Sequence, residues 1–296
     1  MNRRTLIASL GLAGLAWSRA RAASALPVVA SFSILADMVR CVGGEAVAVT
    51  AFVGPDQDVH TYDPRPKDLR TLMAASLLVQ NGLGLEGWMV RLTGSAGFKG
   101  RIVTATEKVV PRTMAETRGV IATDPHAWQD PRNAVLYVQA ILEGLVAADG
   151  ANAALYRANA EEYSARIAET DAWIMRTLKP IEMERRRIIT THDAFGYYGA
   201  RYGIEFLAAE GISTESEPSA RAIAALVEQI RREKVGAVFI ENMTGDRMAR
   251  MLARETGAVL GGTVYSDALS RPDGPAPTYL GMLRYNTALF AAAMRG

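Results

Sequence analysis

The chain has 296 residues, 49% of them hydrophobic, enough to bury a large core and to build two lobes. Its 33 basic and 31 acidic side chains nearly balance, and they form no basic stripe and no Lys/Arg cluster interleaved with aromatics, which excludes nucleic acid as a partner. One cysteine, Cys41, excludes an intrachain disulfide and reads as a small core residue on a helix.

The first residues stand apart from the rest. Arg3-Arg4 precedes an apolar run at 6–17 and then the small-x-small pattern Ala20-Arg21-Ala22, the mark of a signal peptide cleaved after Ala22. The run is shorter than the roughly 20 residues a bilayer span requires, so an anchor is the weaker reading. The arginine pair leaves both the Sec and the Tat export routes open. Cleavage removes four arginines and no acid, which turns the formal charge of +2 into about −2.

Beyond the leader, short apolar runs at 28–32, 47–53, 77–80 and 101–104 read as strands, with helical patterns at 33–41 and 68–75. A helix is expected at 133–147. Residues 151–178 then run without Gly or Pro until Pro180, which predicts one helix about 42 Å long at 1.5 Å per residue. The second half repeats the first pattern, with strands at 187–191, 204–208, 237–240 and 259–264 and helices at 194–202, 219–233 and 246–256. Such alternation predicts an α/β protein: two lobes, each a parallel sheet flanked by helices, joined by the long helix. The expected division is 23–150, 151–180 and 181–296. The runs Arg185-Arg186-Arg187 and Arg231-Arg232-Glu233-Lys234 read as solvated ends before buried strands.

Only three histidines are present, each in a short motif beside an expected strand end or ligand loop: Asp58-Val59-His60-Thr61-Tyr62-Asp63-Pro64, Asp124-Pro125-His126-Ala127-Trp128 and Thr191-His192-Asp193-Ala194-Phe195. A single loop histidine more often caps a helix or bonds a carbonyl. Three of them near the carboxyl ends of parallel strands, where open sheets bind ligands, point instead to a metal. Asp267, just after the last strand, supplies a fourth donor; alone it would read as a turn or helix cap. Neutral imidazole is the ligating form, so affinity is expected to fall as pH drops below about 6.5.

At these residues the chain resembles the ZnuA-, TroA- and AztC-like metal-binding proteins (cluster A-I) that serve ABC importers. Residues 53–68, 124–128, 191–198 with 211–219, and Tyr265-Ser266-Asp267 match the four binding segments of that family in order, over essentially the whole mature chain. The resemblance implies His60 and His126 as ligands from the first lobe and His192 and Asp267 from the second. It implies delivery of the metal to a membrane permease from the periplasm, by a monomer that a periplasmic metallochaperone could load. Glu241, Asp63 and Asp193 are the acids expected to orient the imidazoles.

Two details bear on the metal. Many zinc-specific relatives carry a His- and Asp-rich loop between the first two segments, whereas residues 107–123 are short and lack histidine. Manganese-type relatives usually place a glutamate where this chain has His192. A nitrogen-rich, four-coordinate set suits Zn²⁺ over Mn²⁺. A zinc hydrolase is the competing class, but it would need an open coordination position, and no His-Glu-x-x-His helix appears. With aromatics at 7%, an adhesin or siderophore binder ranks last.

Overall fold

The computed structural model describes residues 25–115, 121–208, 211–215, 218–233 and 235–296. The expected signal peptide, residues 1–22, lies outside the described residues. Among them, no helix is long and apolar enough to cross a membrane.

Two four-stranded parallel sheets organise the chain. The first contains β1 (Leu26–Phe32), β2 (Val47–Val53), β3 (Leu77–Gln80) and β4 (Arg101–Thr104) in the order β2-β1-β3-β4. From Val28 to Phe32, β1 is buried on both faces, as a central parallel strand requires, while the edge strand β2 alternates over its first half. Helices α1 (Ser33–Gly43), α2 (Pro66–Ala74), α3 (Met89–Ala96) and α4 (Pro131–Ala148) accompany this sheet. Pro131 opens α4 behind Asp130, whose carboxylate accepts from Arg132 N. Cys41 sits half-buried on α1, and burial pushes its thiol up to about 11, which keeps it protonated.

The second sheet contains β7 (Arg187–Thr190), β8 (Glu205–Ala208), β9 (Ala237–Glu241) and β10 (Val259–Val264) in the order β10-β9-β7-β8. Its helices are α6 (Gly196–Tyr202), α7 (Ala220–Glu233), α8 (Arg247–Thr256) and α9 (Tyr279–Arg295). A small core of Ile189, Leu226, Ile230, Val238 and Leu252 lies between this sheet and α7 and α8.

The long helix is α5 (Ala153–Leu178), 26 residues and about 39 Å. Tyr156, Ala160, Tyr163, Ile167, Thr170, Ile174 and Leu178 bury one stripe of it, and it packs on α1, α4 and α9. Arg186 secures its exit, donating to the carbonyls of Leu178, Ile181 and Tyr202. That corrects the reading of the 185–187 run as solvated at one position: Arg186 is committed to the chain, while Arg185 is exposed and Arg187 forms an exposed pair with Glu205.

Three elements were not foreseen: α3, α9 and the antiparallel hairpin of β5 (Arg112–Ala115) with β6 (Ile121–Asp124). Of these, α9 matters most. Its Phe290 meets Phe195, Tyr198, Phe206 and Phe239, with ring centroids 5.3–5.7 Å away. It also touches α1 and α5, so the main apolar core is continuous from the first sheet into the second lobe. The chain reaches that helix by crossing back after β10: Leu269 N donates to Ser33 Oγ and Tyr279 N to Asp37 Oδ2. The lobes are therefore linked twice, by α5 and by this return segment, which carries Asp267.

Candidate metal centre

Each histidine is fixed by its local chain before any metal is considered. His60 follows β2 in a loop braced by Asp58, whose Oδ1 accepts from His60 N at 2.8 Å. His126 follows β6 in the same way: Asp124 Oδ1 accepts from His126 N at 2.9 Å. Both are Asx turns, in which an aspartate two residues ahead satisfies the backbone N–H. The His126 loop is also held by Asn81, whose Nδ2 donates to Pro125 O. Asn81 lies in the tight turn after β3 around buried Glu86, which accepts from Ser31 Oγ, Asn81 N and Gly82 N.

His192 lies just past β7, at the point where the second sheet changes winding direction between β7 and β9. There Glu241, the last residue of β9, receives it. Glu241 Oε1 accepts from His192 N and Thr191 Oγ1, each at 2.7 Å, and Oε2 lies 2.5 Å from His192 Nδ1. Asp267 follows β10, where Asn286 of α9 grips Tyr265 through both N and O. Ser266 O accepts from Trp128 Nε1 and Gln129 Nε2 of the opposite lobe, both at 2.9 Å, which ties the Asp267 segment to the His126 segment.

These four side chains converge. One donor atom from each of His60, His126, His192 and Asp267 lies within 4.8 Å of the others. His60 Nε2 and His192 Nε2 are each 3.2 Å from Asp267 Oδ2; His126 Nε2 is 3.3 Å from His60 Nε2 and 3.6 Å from Asp267 Oδ1. Donor atoms this close around one point suit a single small cation shared by all four side chains. Among the described residues, both Asp267 oxygens and His192 Nε2 are buried with no hydrogen-bond partner, which is costly unless a cation completes them.

Electrostatics bind the group together. Burial disfavours imidazolium at His126, but Asp267 and Asp124 outweigh it and raise the pKa to about 9. His192 is likewise buried yet raised well above the usual imidazole range by Glu241 and Asp267. Burial would raise Asp267, but His126 and His192 hold its carboxyl well below the usual carboxylate range. Arg112, brought over by the hairpin, has its Nε 3.7 Å from Asp124 Oδ2. Gly196 leaves room for this pair, since a Cβ there would lie 2.7 Å from Asp124 Oδ2.

Of the acids expected to orient the imidazoles, Glu241 contacts His192 directly. Asp63 is exposed on the approach to α2 and hydrogen-bonds no imidazole. Asp193 is half-buried, and partial desolvation, reinforced by Asp124, raises its carboxyl; it bonds neither ring, because Glu241 already sits against His192 Nδ1. The acid on His126 Nδ1 is Asp124, at 2.9 Å, a residue quoted in the motif but not assigned. The Asp-x-His spacing shared with Asp58 and His60 was the signal for it.

Comparison with known proteins places this arrangement. The family model described as "Zinc-uptake complex component A periplasmic" matches residues 28–293. The chain belongs to this family. The iron-binding protein YfeA of Yersinia pestis is 32% identical over 257 residues, covering 86% of this chain and 82% of YfeA. The periplasmic zinc-binding protein TroA of Treponema pallidum superposes with a TM-score of 0.86 at 28% identity, over 91% of this chain and 99% of TroA. The manganese-bound periplasmic metal-binding protein of Candidatus Liberibacter asiaticus gives a TM-score of 0.81 at 31% identity, over 90% of this chain and 98% of its own. Family members are substrate-binding proteins of transporters, not enzymes.

Proposed function

We propose that this chain captures a divalent transition metal outside the cytoplasm and delivers it to an ABC importer permease, with zinc the preferred cargo over manganese. Membership of the zinc-uptake family and the likeness to TroA support the transport role. The observation that carries the metal reading is the buried convergence of His60, His126, His192 and Asp267 with carboxylate oxygens left unpartnered. Three imidazole nitrogens and one carboxylate favour zinc in ligand type. Relatives named for iron, zinc and manganese keep the manganese alternative in play. Asp267 supports it too, since both its oxygens face the cluster and could bind together to raise the coordination number.

In this reading His60 and His126 come from lobe 23–150, His192 comes from lobe 181–296 beyond the connecting stretch 151–180, and Asp267 sits on the return segment. Residues 1–22 are removed on export by the Sec or Tat route, and the periplasmic protein works as a monomer, loaded from free metal or by a metallochaperone. Competition titration of the purified, metal-stripped protein against a chromogenic chelator tests the assignment. One tight site that binds zinc at least tenfold more strongly than manganese is expected; tighter manganese binding would reverse the cargo.

A further inference from the structure

His60 is the one of the four converging residues with any exposure, 6% against 0% for the other three. It borders a cavity of about 310 Å³ that opens to solvent and is lined also by Tyr62, Asp63, Trp88, Arg91 and Glu215. Solvent therefore reaches the cluster from the His60 side. On that side the two lobes meet through polar contacts made by the His60 loop. Asp58 uses both oxygens: Oδ1 holds His60 N at 2.8 Å, while Oδ2 accepts from Thr214 Oγ1 of the other lobe at 2.6 Å. Two residues earlier, Asp56 adopts a left-handed backbone, φ 55°, unusual for a residue with a Cβ. In that conformation its N donates to Leu269 O at 3.1 Å and its Oδ1 accepts from Asn242 Nδ2 at 2.9 Å.

The opposite side of the interface differs in kind. There Trp128 and Gln129 are fully buried against Ser266, continuous with the apolar core. Part-exposed hydrogen bonds open far more readily than a packed aromatic core. The His60 side is built to part and the Trp128 side to hold.

We propose that Thr214–Asp58 and Asn242–Asp56 form a latch across the lobes that slows metal release without touching the metal. The inference rests on the transport reading. Metal held by groups on both lobes leaves only after one lobe lets go, so hydrogen bonds broken on that route lower the off-rate. Because Asp58 also fixes the backbone of His60, loosening Thr214 frees the loop that carries the most accessible imidazole.

The test is release from zinc-loaded full-length mature protein, followed by stopped flow with excess chelator. Thr214→Val keeps the shape of the side chain and removes the hydroxyl; release is expected to be about tenfold faster, the scale of one hydrogen bond to a charged group. Thr214→Ser keeps the hydroxyl and should return the rate to within about twofold of wild type. Asp56→Gly is an independent probe: glycine accepts φ 55° without strain, while the bond to Asn242 is lost, so release should again quicken. Thr214→Val releasing at the wild-type rate, or Thr214→Ser as fast as Thr214→Val, overturns the latch alone. A wild type that binds no metal overturns the transport reading and the latch with it.

Discussion

Replacing Glu241 by glutamine isolates what one carboxylate does for the site, since shape is conserved and only charge and acceptor capacity change. Glu241 accepts from His192 N and Thr191 Oγ1 at Oε1, and its Oε2 lies 2.5 Å from His192 Nδ1 as an ion-pair contact. Glutamine has one oxygen and one NH₂ for these places. If its oxygen stays on His192 N and Thr191, the NH₂ faces Nδ1, which must then accept, and the ring proton moves to Nε2, where the metal would bind. If the amide turns over, two donors confront the NH₂ instead. Either arrangement forfeits a hydrogen bond to a charged acceptor in a fully buried place, worth about 1.5–3 kcal/mol, or roughly 10- to 100-fold in affinity. A second effect runs the other way. Glu241 also helps hold His192 protonated in the metal-free protein, so its loss eases proton competition near neutral pH. The affinity loss should therefore be larger at pH 9 than at pH 7 when zinc is titrated against a competing chelator. Asp63→Asn, an exposed acid that contacts no imidazole, is the matched control and should stay within about twofold. Binding by Glu241→Gln within twofold of wild type at both pH values would refute the argument.

Asp267→Ala removes the carboxylate that lies 3.2 Å from both His60 and His192, and should cost at least about 100-fold in zinc affinity. At a thousandfold excess over Kd, zinc should stabilise the wild type by about 4 kcal/mol, and calorimetry should find most of that gain missing in Asp267→Ala; a retained gain would shift the case toward a three-histidine site. The pH dependence moves upward from the ordinary imidazole window. Although burial opposes it, carboxylate pairing raises His126 from 6.5 to about 9, so this pairing stabilises the metal-free fold fully below about pH 6.5 and fades as pH climbs toward 9. Metal takes the neutral ring, so apparent zinc affinity should keep rising across pH 6.5–9, and a plateau reached by pH 7 would contradict the pairing.

Much of the architecture was legible in the chain itself. Strands 47–53, 77–80, 101–104 and 259–264 coincide with those observed; alternation along the edge strand 47–53 and the buried apolar run at 77–80 carry their own period. The long helix was legible for a similar reason: nothing between residue 153 and Pro180 interrupts it. That His60, His126, His192 and Asp267 belong to one place followed from their rarity and their position after strands.

Other features depend on contacts far apart in the chain. α9 was missed, as its weakly patterned sequence gains its meaning from packing Phe290 among four aromatics contributed by both α6 and the second sheet. The orienting acids were only partly legible, because an imidazole's partner is whichever carboxylate the neighbouring strand brings within bonding distance: Glu241, 49 residues from His192, but not Asp193 beside it. The raised pKa values of His126 and His192 follow the same rule, since Coulomb energies depend on separation through space. Local periodicity is written residue by residue, whereas the charge around each histidine exists only once both lobes have closed on it.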